Sequence, residues 1–498
     1  MKIIDIHSHF FNLKYLPVAG IIVRYSQGKV PHRIANGIEW LLLRYTRSDF
    51  ETAEAQESVS KRFAEPKAFR LLQHGQVETE MDHIFDLSSA QTATAISQLA
   101  TPADLLESNP LTQALEAFEK EFGGIQTPVP KAFSGETARM FSLFDRLKRM
   151  LEWLMEKAEA MKHYLKWFLF MTNSEDAMYR HLRDRDANPG IPDAKVEHFL
   201  HLLMDVDAFF NEPVGGNRYT SYFDFATEQI PNMQKLNQRY SGTITGFVAF
   251  NPARENCMEI IEEAVLRKGF KGVKFYPPLG YRADSDPSYA ERIDRLLAFC
   301  NERRVPLFTH CNNQGFEAHP GDGHSGYNSN PVFWEEALQK HNQLILCLAH
   351  GGGVEGWFTA NRATDRTDPA DILAAEICDK SEDQEADWNC SYAAMVYKLC
   401  VKYDHVYCDA AYLDEMVNSD GTFNEQARAN FKQRLLGLFA DQPRFSKKIM
   451  YGSDWHMLFQ EAKNQVYLSN YITFFGDAEF DPYRSDFFYE NARRFLNL

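Results

Sequence analysis

Residues 243–252, Thr243-Ile244-Thr245-Gly246-Phe247-Val248-Ala249-Phe250-Asn251-Pro252, hold the first full cycle of a pattern that decides the fold. The apolar run suits a strand buried on both faces, as in an all-parallel sheet. Asn251-Pro252 then predicts a helix start, with Asn as cap and Pro at the first helical position. Ile260, Ile261, Ala264 and Val265 give that helix an apolar stripe, and Gly269 is placed to end it.

The cycle repeats. A strand is expected over 271–276, a helix over 287–303 and a strand over 305–310. Asn330-Pro331 repeats the capping pair, and further strands fall at 344–349, 406–410 and 448–451. Upstream, 198–206 (HFLHLLMDV) and 3–7 complete eight strands. Eight strands alternating with helices predict an α/β architecture, a closed (β/α)8 TIM barrel rather than an open doubly wound sheet. No Gly-x-Gly-x-x-Gly or Walker-type loop favours the open alternative.

Residues 20–195 break this rhythm and read as a large helical insertion after strand one. Asn109-Pro110 opens one helix through Leu111, Leu115, Phe118 and Phe122 to Gly123-Gly124. A longer one carries Met140, Phe144, Leu147, Leu151, Leu154, Ala158, Met161, Leu165 and Phe168 in 4-3 spacing, the mark of a helix packed along a partner. A competing strand falls at 81–87 (MDHIFDL). The expected organisation is therefore 1–19 as the first strand and its loop, 20–195 as the insertion and 196–498 as the rest of the barrel. Because the insertion leaves from the end of strand one, it is expected to act as a lid over the barrel mouth. The alternative is a helical subdomain for oligomer contacts.

The chain has 498 residues, 44% hydrophobic and 24% charged, which is ordinary globular material. A formal net charge of −16 argues against a general nucleic-acid partner, since phosphate backbones require a basic face. Eight cysteines all lie in the C-terminal half without a Cys-x-x-Cys pair, reading as reduced buried thiols of a cytoplasmic protein. Apolar tracts are broken by charge before membrane-spanning length, so no membrane partner is expected. A small-molecule substrate is, with a homo-oligomer permitted.

The chemistry sits at strand ends. His7 and His9 flank Ser8, and alternation along a strand sends both imidazoles to one side, half of a zinc site. His310 ends a strand, His350 ends another ahead of Gly351-Gly352-Gly353, and Asp454 follows Tyr451-Gly452-Ser453. One such histidine reads as a satisfied core residue. Three strand ends with histidine plus an aspartate, at the barrel face where catalytic groups arise, read as one metal site.

The sequences Asp5-Ile6-His7-Ser8-His9, Gly272-Val273-Lys274-Phe275-Tyr276-Pro277-Pro278, Phe308-Thr309-His310, Leu348-Ala349-His350-Gly351-Gly352 and Tyr451-Gly452-Ser453-Asp454-Trp455 resemble the amidohydrolase superfamily. They are most similar to the branch of aminocarboxymuconate-semialdehyde decarboxylase and related metal-dependent hydrolases, as is the ending Phe487-Phe488-Tyr489-Glu490-Asn491-Ala492-Arg493-Arg494-Phe495-Leu496. The likeness covers 1–12 and about 196–498, in the expected order, and omits the insertion.

The resemblance implies one divalent metal, zinc by default, on His7, His9, His310 and Asp454, with His350 beside it as an acid or orienting group. Residue chemistry agrees: a metal lowers the pKa of its water, and a carboxylate at its edge can take that proton and return it. Asp454 and His350 are thus the expected catalytic residues. In binuclear relatives a carboxylated fourth-strand lysine bridges two metals, and the fifth- and sixth-strand histidines serve the second. Lys274 stands at that place, with an ammonium that binds a substrate carboxylate or packs locally as the alternative.

Arg282 could clamp an anionic substrate, although Asp284 and Asp286 offer it ordinary ion pairs. Trp455 and His456 are candidates for lining the pocket, while His319 and His324, in a Gly-rich loop, read as incidental. The expected activity is hydrolysis of an amide, ester or lactone of a small, carboxylate-bearing substrate. The competing readings are a metal-dependent decarboxylase or hydratase on the same scaffold, and a barrel that has lost catalysis and binds only.

Overall fold

A computed structural model of the chain describes residues 1–28, 30–46, 171–186, 194–210, 214, 216–284, 287–318, 324–354, 356–360, 388, 391–418, 420–460 and 466–498. The helices expected at 109–124 and 140–168, the strand at 81–87, Asp286 and His319 lie outside the described residues.

Eight strands form one sheet in sequence order, every neighbouring pair parallel: β1 (Lys2–Ser8), β2 (Lys195–Leu202), β3 (Ile244–Ala249), β4 (Gly272–Phe275), β5 (Leu307–Thr309), β6 (Leu346–Leu348), β7 (Val406–Asp409) and β8 (Ile449–Met450). The ring closes through main-chain hydrogen bonds at the seam. Ile6 N–H donates to Tyr451 O at 3.1 Å, and Asp454 N–H donates to His7 O at 2.9 Å. Asp5 reinforces it, accepting from Ser453 N–H (2.9 Å) and Ser453 Oγ–H (2.5 Å). A barrel so closed has no edge to protect, and β3 through β8 are buried at every residue.

The expected (β/α)8 barrel is what forms, with strands shorter than their apolar runs. β2 begins three residues before residue 198 and stops at Leu202, because the residues beyond it turn into the short helix Asp207–Phe210. Helices follow each later strand: Ile230–Arg239, Cys257–Arg267, Ala290–Arg303, Trp334–Lys340, Tyr392–Lys402, Glu425–Asp441 and Tyr467–Phe474. The helix expected at Asn251-Pro252 instead starts at Cys257. The Asn251 side chain accepts from Ala253 N–H (3.0 Å) while its amide donates to Asp205 O (2.9 Å), so it builds a turn and not a cap. At Asn330 the same pair does cap: Oδ1 accepts from Val332 N–H at 3.0 Å, opening the 3-10 turn Pro331–Phe333 ahead of Trp334–Lys340.

The barrel interior is filled by Ile4, Ile6, Leu200, Leu202, Phe247, Phe308, Cys347, Tyr407 and Met450, with Phe495 from the last helix, Asn491–Leu496, as a plug. The Phe495 ring lies 5.7 Å from Tyr407, 6.1 Å from Phe247 and 6.3 Å from Phe308. Six described cysteines are free and buried. Among the described residues no helix is long and apolar enough to cross a membrane.

The barrel unit comprises Met1–Phe11, Glu175–Glu212 and Phe223–Leu498. A second compact unit takes the described residues within Asn12–Ser174 and Pro213–Tyr222, so it starts ahead of residue 20 and includes a stretch after β2. Its described residues up to 46 are mainly helical: Asn12 caps the turn Leu13–Tyr15, and helices Val18–Tyr25 and His32–Tyr45 follow. Glu39 accepts from Ala19 N–H at 3.0 Å, tying those two helices together.

Candidate metal centre

Five strands deliver the site. His7 lies within β1 and His9 just past it, His310 directly follows β5, His350 follows β6 by two residues, Asp409 ends β7, and Asp454 lies beyond β8. All are buried, with exposures of 0–6%. Gly452 permits the convergence: a Cβ there would stand 3.0 Å from His7 Cβ and 3.1 Å from Ala411 Cβ. His350 (φ 58°) and Asp454 (φ 49°) both hold left-handed backbone, which costs about 1–3 kcal/mol each in a non-glycine residue. Such strain persists only where surrounding contacts impose it, and it aims both side chains inward.

The hydrogen bonds fix which ring nitrogen each histidine presents. A main-chain carbonyl only accepts, so the nitrogen facing it carries the hydrogen. His9 Nδ1–H donates to Leu202 O (2.7 Å), His350 Nδ1–H to Ala411 O (3.0 Å) and His310 Nε2–H to Gln314 O (2.6 Å). His7 Nδ1 faces Asp409 Oδ2 at 3.3 Å. The free lone pairs are then Nε2 of His7, His9 and His350 and Nδ1 of His310. Two of them point to Asp454 Oδ1, with His7 Nε2 at 3.8 Å and His9 Nε2 at 3.7 Å. His456 Nδ1 also stands 3.1 Å from that oxygen.

Two trios bring their ligand atoms within 4.8 Å of one another: His7, His350 and Asp454; and His9, Asp454 and His456. His310 belongs to neither trio and adjoins the first through its 3.1 Å contact with His350 Nε2. Asp454 Oδ1 is buried and accepts no hydrogen bond among the described residues. Lone pairs converging on an unsatisfied carboxylate oxygen fit a divalent cation.

Charge points the same way. Asp454 and Asp409 are buried carboxylates acting on one buried ammonium, Lys274, and Asp5 is a third buried carboxylate acting on Asp454, so the formal sum of the four is −2. Burial holds His7, His9 and His310 well below the ordinary imidazole range, and Lys274 and the neighbouring imidazoles push His7 further down. Burial takes His350 to about 4 and His456 to about 3. The rings are therefore neutral, the form that binds metal. Burial also raises the Asp454 carboxyl, opposed by Lys274, and lowers the Lys274 ammonium, opposed by Asp454 and Asp409. A bound dication would reverse that pull on Asp454.

Lys274 Nζ has no hydrogen-bond partner among the described residues and sits over the Phe308 ring at 4.7 Å and the Tyr276 ring at 5.7 Å. Arg282 is turned to an ion pair with Asp284 (2.9 Å) and lies over Phe333 at 4.8 Å and Tyr327 at 5.4 Å. Trp455 is fully buried, near-parallel to Phe10 at 6.4 Å, which is a packing role. His456, by contrast, stands within the carboxylate cluster and belongs with the candidate ligands. Asp409 escaped the sequence reading. Its signal was a lone carboxylate closing the otherwise apolar Val406-Tyr407-Cys408, and nothing local says that it meets a residue 402 positions away.

Residues 169–374 match the family model for amidohydrolases. The resemblance read from the strand-end motifs is thereby borne out over that segment, on an eight-stranded parallel barrel. No curated protein matches the chain. Similar solved structures include 5-carboxyvanillate decarboxylase from Novosphingobium aromaticivorans, solved with manganese: 14% identity, 64% of this chain and 80% of that one, TM-score 0.41. An amidohydrolase from Burkholderia multivorans has 12% identity, 65% and 88% coverage and TM-score 0.39. An uncharacterized TIM-barrel protein from Bordetella bronchiseptica has 13% identity, 65% and 82% coverage and TM-score 0.38.

Proposed function

We propose that the barrel is a metal-dependent hydrolase that cleaves an amide, ester or lactone of a small carboxylate-bearing substrate. The observation that carries this reading is Asp454 Oδ1, buried without a hydrogen bond among the described residues and faced by His7, His9 and His456. His7, His9, His310 and Asp454 would hold the ion, zinc by preference for nitrogen and carboxylate donors, with His350 and His456 beside them. When bound, the ion supplies Lewis-acid polarisation at the reacting centre.

The chain's own groups do the rest. The Asp454 carboxylate takes a proton from the attacking water and returns it to the leaving group. His350, fixed at Nδ1 by Ala411 O and at its main chain by Asp409, keeps a neutral Nε2 turned inward to orient reacting groups. Lys274, whose Nζ donates to none of the described residues, receives the substrate's carboxylate. The test is elemental analysis combined with turnover on a panel of amides, lactones and carboxylic acids. Metal-dependent hydrolysis is the expected result. Carbon dioxide release from an acid would replace it with a lyase, and a metal-free, inactive protein would replace it with a binding barrel.

A further inference from the structure

We infer that Asp409 is a positioning residue that sets the His7 ring for metal binding and ties that setting to the His350 turn, an inference that rests on the metal-centre reading above. Asp409 is fully buried at the end of β7. Its Oδ1 accepts from the main-chain N–H of His350 (2.9 Å) and of Ala411 (2.9 Å), while Oδ2 faces His7 Nδ1 at 3.3 Å. One carboxylate thus touches β1 and the turn after β6 from a third strand. Both main-chain donors are taken up by Oδ1, which leaves Oδ2 to accept from His7 Nδ1–H and puts the ring's lone pair on Nε2.

His9 and His350 have their tautomers set by main-chain carbonyls, which no substitution removes. His7 depends on a side chain. An asparagine at 409 has the same shape. Its Oδ1 can keep both main-chain donors, but its amide nitrogen must then face His7 Nδ1. That forces Nδ1 to accept, moves the ring hydrogen to Nε2 and removes the lone pair directed at Asp454. The Asp409→Asn variant should therefore fold as the wild type does and bind metal poorly with every proposed ligand still present. Outer-shell partners of this type typically change metal affinity by about 10–100-fold.

The experiment is zinc titration of metal-free wild type and D409N against a competing chromophoric chelator, with thermal unfolding of both metal-free proteins. The expected result is zinc affinity weakened by about 10–100-fold with a near wild-type unfolding midpoint. Unchanged affinity in D409N overturns the inference and leaves the metal centre standing, whereas a wild type that binds no zinc overturns both. Should D409N fail to fold, ring nitrogen NMR of metal-free wild type decides: His7 protonated at Nδ1 supports the inference, and protonation at Nε2 defeats it.

Discussion

His310 Nδ1 and His350 Nε2 face each other at 3.1 Å with a lone pair on each side, because Gln314 O and Ala411 O claim the hydrogens of the opposite nitrogens. Two neutral acceptors at that distance repel unless a cation or a proton lies between them. Burial holds both imidazoles below their ordinary range, which disfavours the proton and favours a metal held at His310 Nδ1 with His350 Nε2 beside it. Purified protein should therefore carry metal, and both His310→Ala and His9→Ala should lose most of it. Elemental analysis finding full occupancy in either variant would remove that residue from the ligand set.

Asp454→Asn should lower turnover by at least about 100-fold, the usual scale of acid–base catalysis, while lowering metal content less. Asparagine keeps an oxygen ligand and tolerates the left-handed backbone at this position, so the fold survives. It cannot take a proton. Near wild-type turnover in this variant would end the acid–base assignment.

The barrel was legible because strands buried on both faces leave unbroken apolar runs at 243–250, 305–310 and 344–349. The histidines were legible because polar residues ending such runs stand out. Two things were not. Asn251-Pro252 looks like Asn330-Pro331 in sequence, and only the contact with Asp205 O makes one a turn and the other a cap. Asp409 acquires its meaning from β7 lying close enough to reach β1, which closure of the whole barrel determines.

Metal stoichiometry should be one per chain, with no dependence on bicarbonate during reconstitution. Asp5, Asp409 and Asp454 against the Lys274 ammonium leave −2, which one dication neutralises. Carboxylating Lys274 would replace +1 by −1 and leave −4, which calls for two. The ammonium's seat over the Phe308 ring at 4.7 Å favours the first state, since an anion there would meet the negative ring face. Two metals per chain with bicarbonate-dependent activity would establish the second.

Acid should destabilise the metal-free protein through its buried histidines. Burial lowers His201 to about 3, His350 to about 4 and His456 to about 3, while unfolded imidazoles titrate near about 6.5. Below that value the unfolded chain binds more protons than the folded one, so stability rises with pH across the window. The contribution is complete above about 6.5 and is lost progressively as the pH falls toward the folded values. Thermal midpoints should accordingly drop between about pH 7 and about pH 5. Burial raises Asp454 to about 8, Glu39 to about 7 and Asp205 to about 6, which works the other way, so a midpoint that is flat or rises on acidification would mean that these carboxyls outweigh the buried rings.

Phe495→Ala should separate stability from the site. The ring fills the barrel between Tyr407, Phe247 and Phe308, and Phe308 in turn lies perpendicular to the His7 ring at 5.0 Å and presents a face to Lys274. Truncating a buried phenylalanine typically destabilises by about 3–5 kcal/mol through lost burial and the cavity left behind. The ligands hang from strand ends and from the seam bonds of Asp5 and His7, none of which involves Phe495. Chemical denaturation should thus show a large loss of stability, while metal content at temperatures below unfolding stays near that of the wild type. If the variant loses its metal while still folded, the aromatic plug is part of what holds His7 and Lys274 in place, and the barrel core and the metal centre are one cooperative unit.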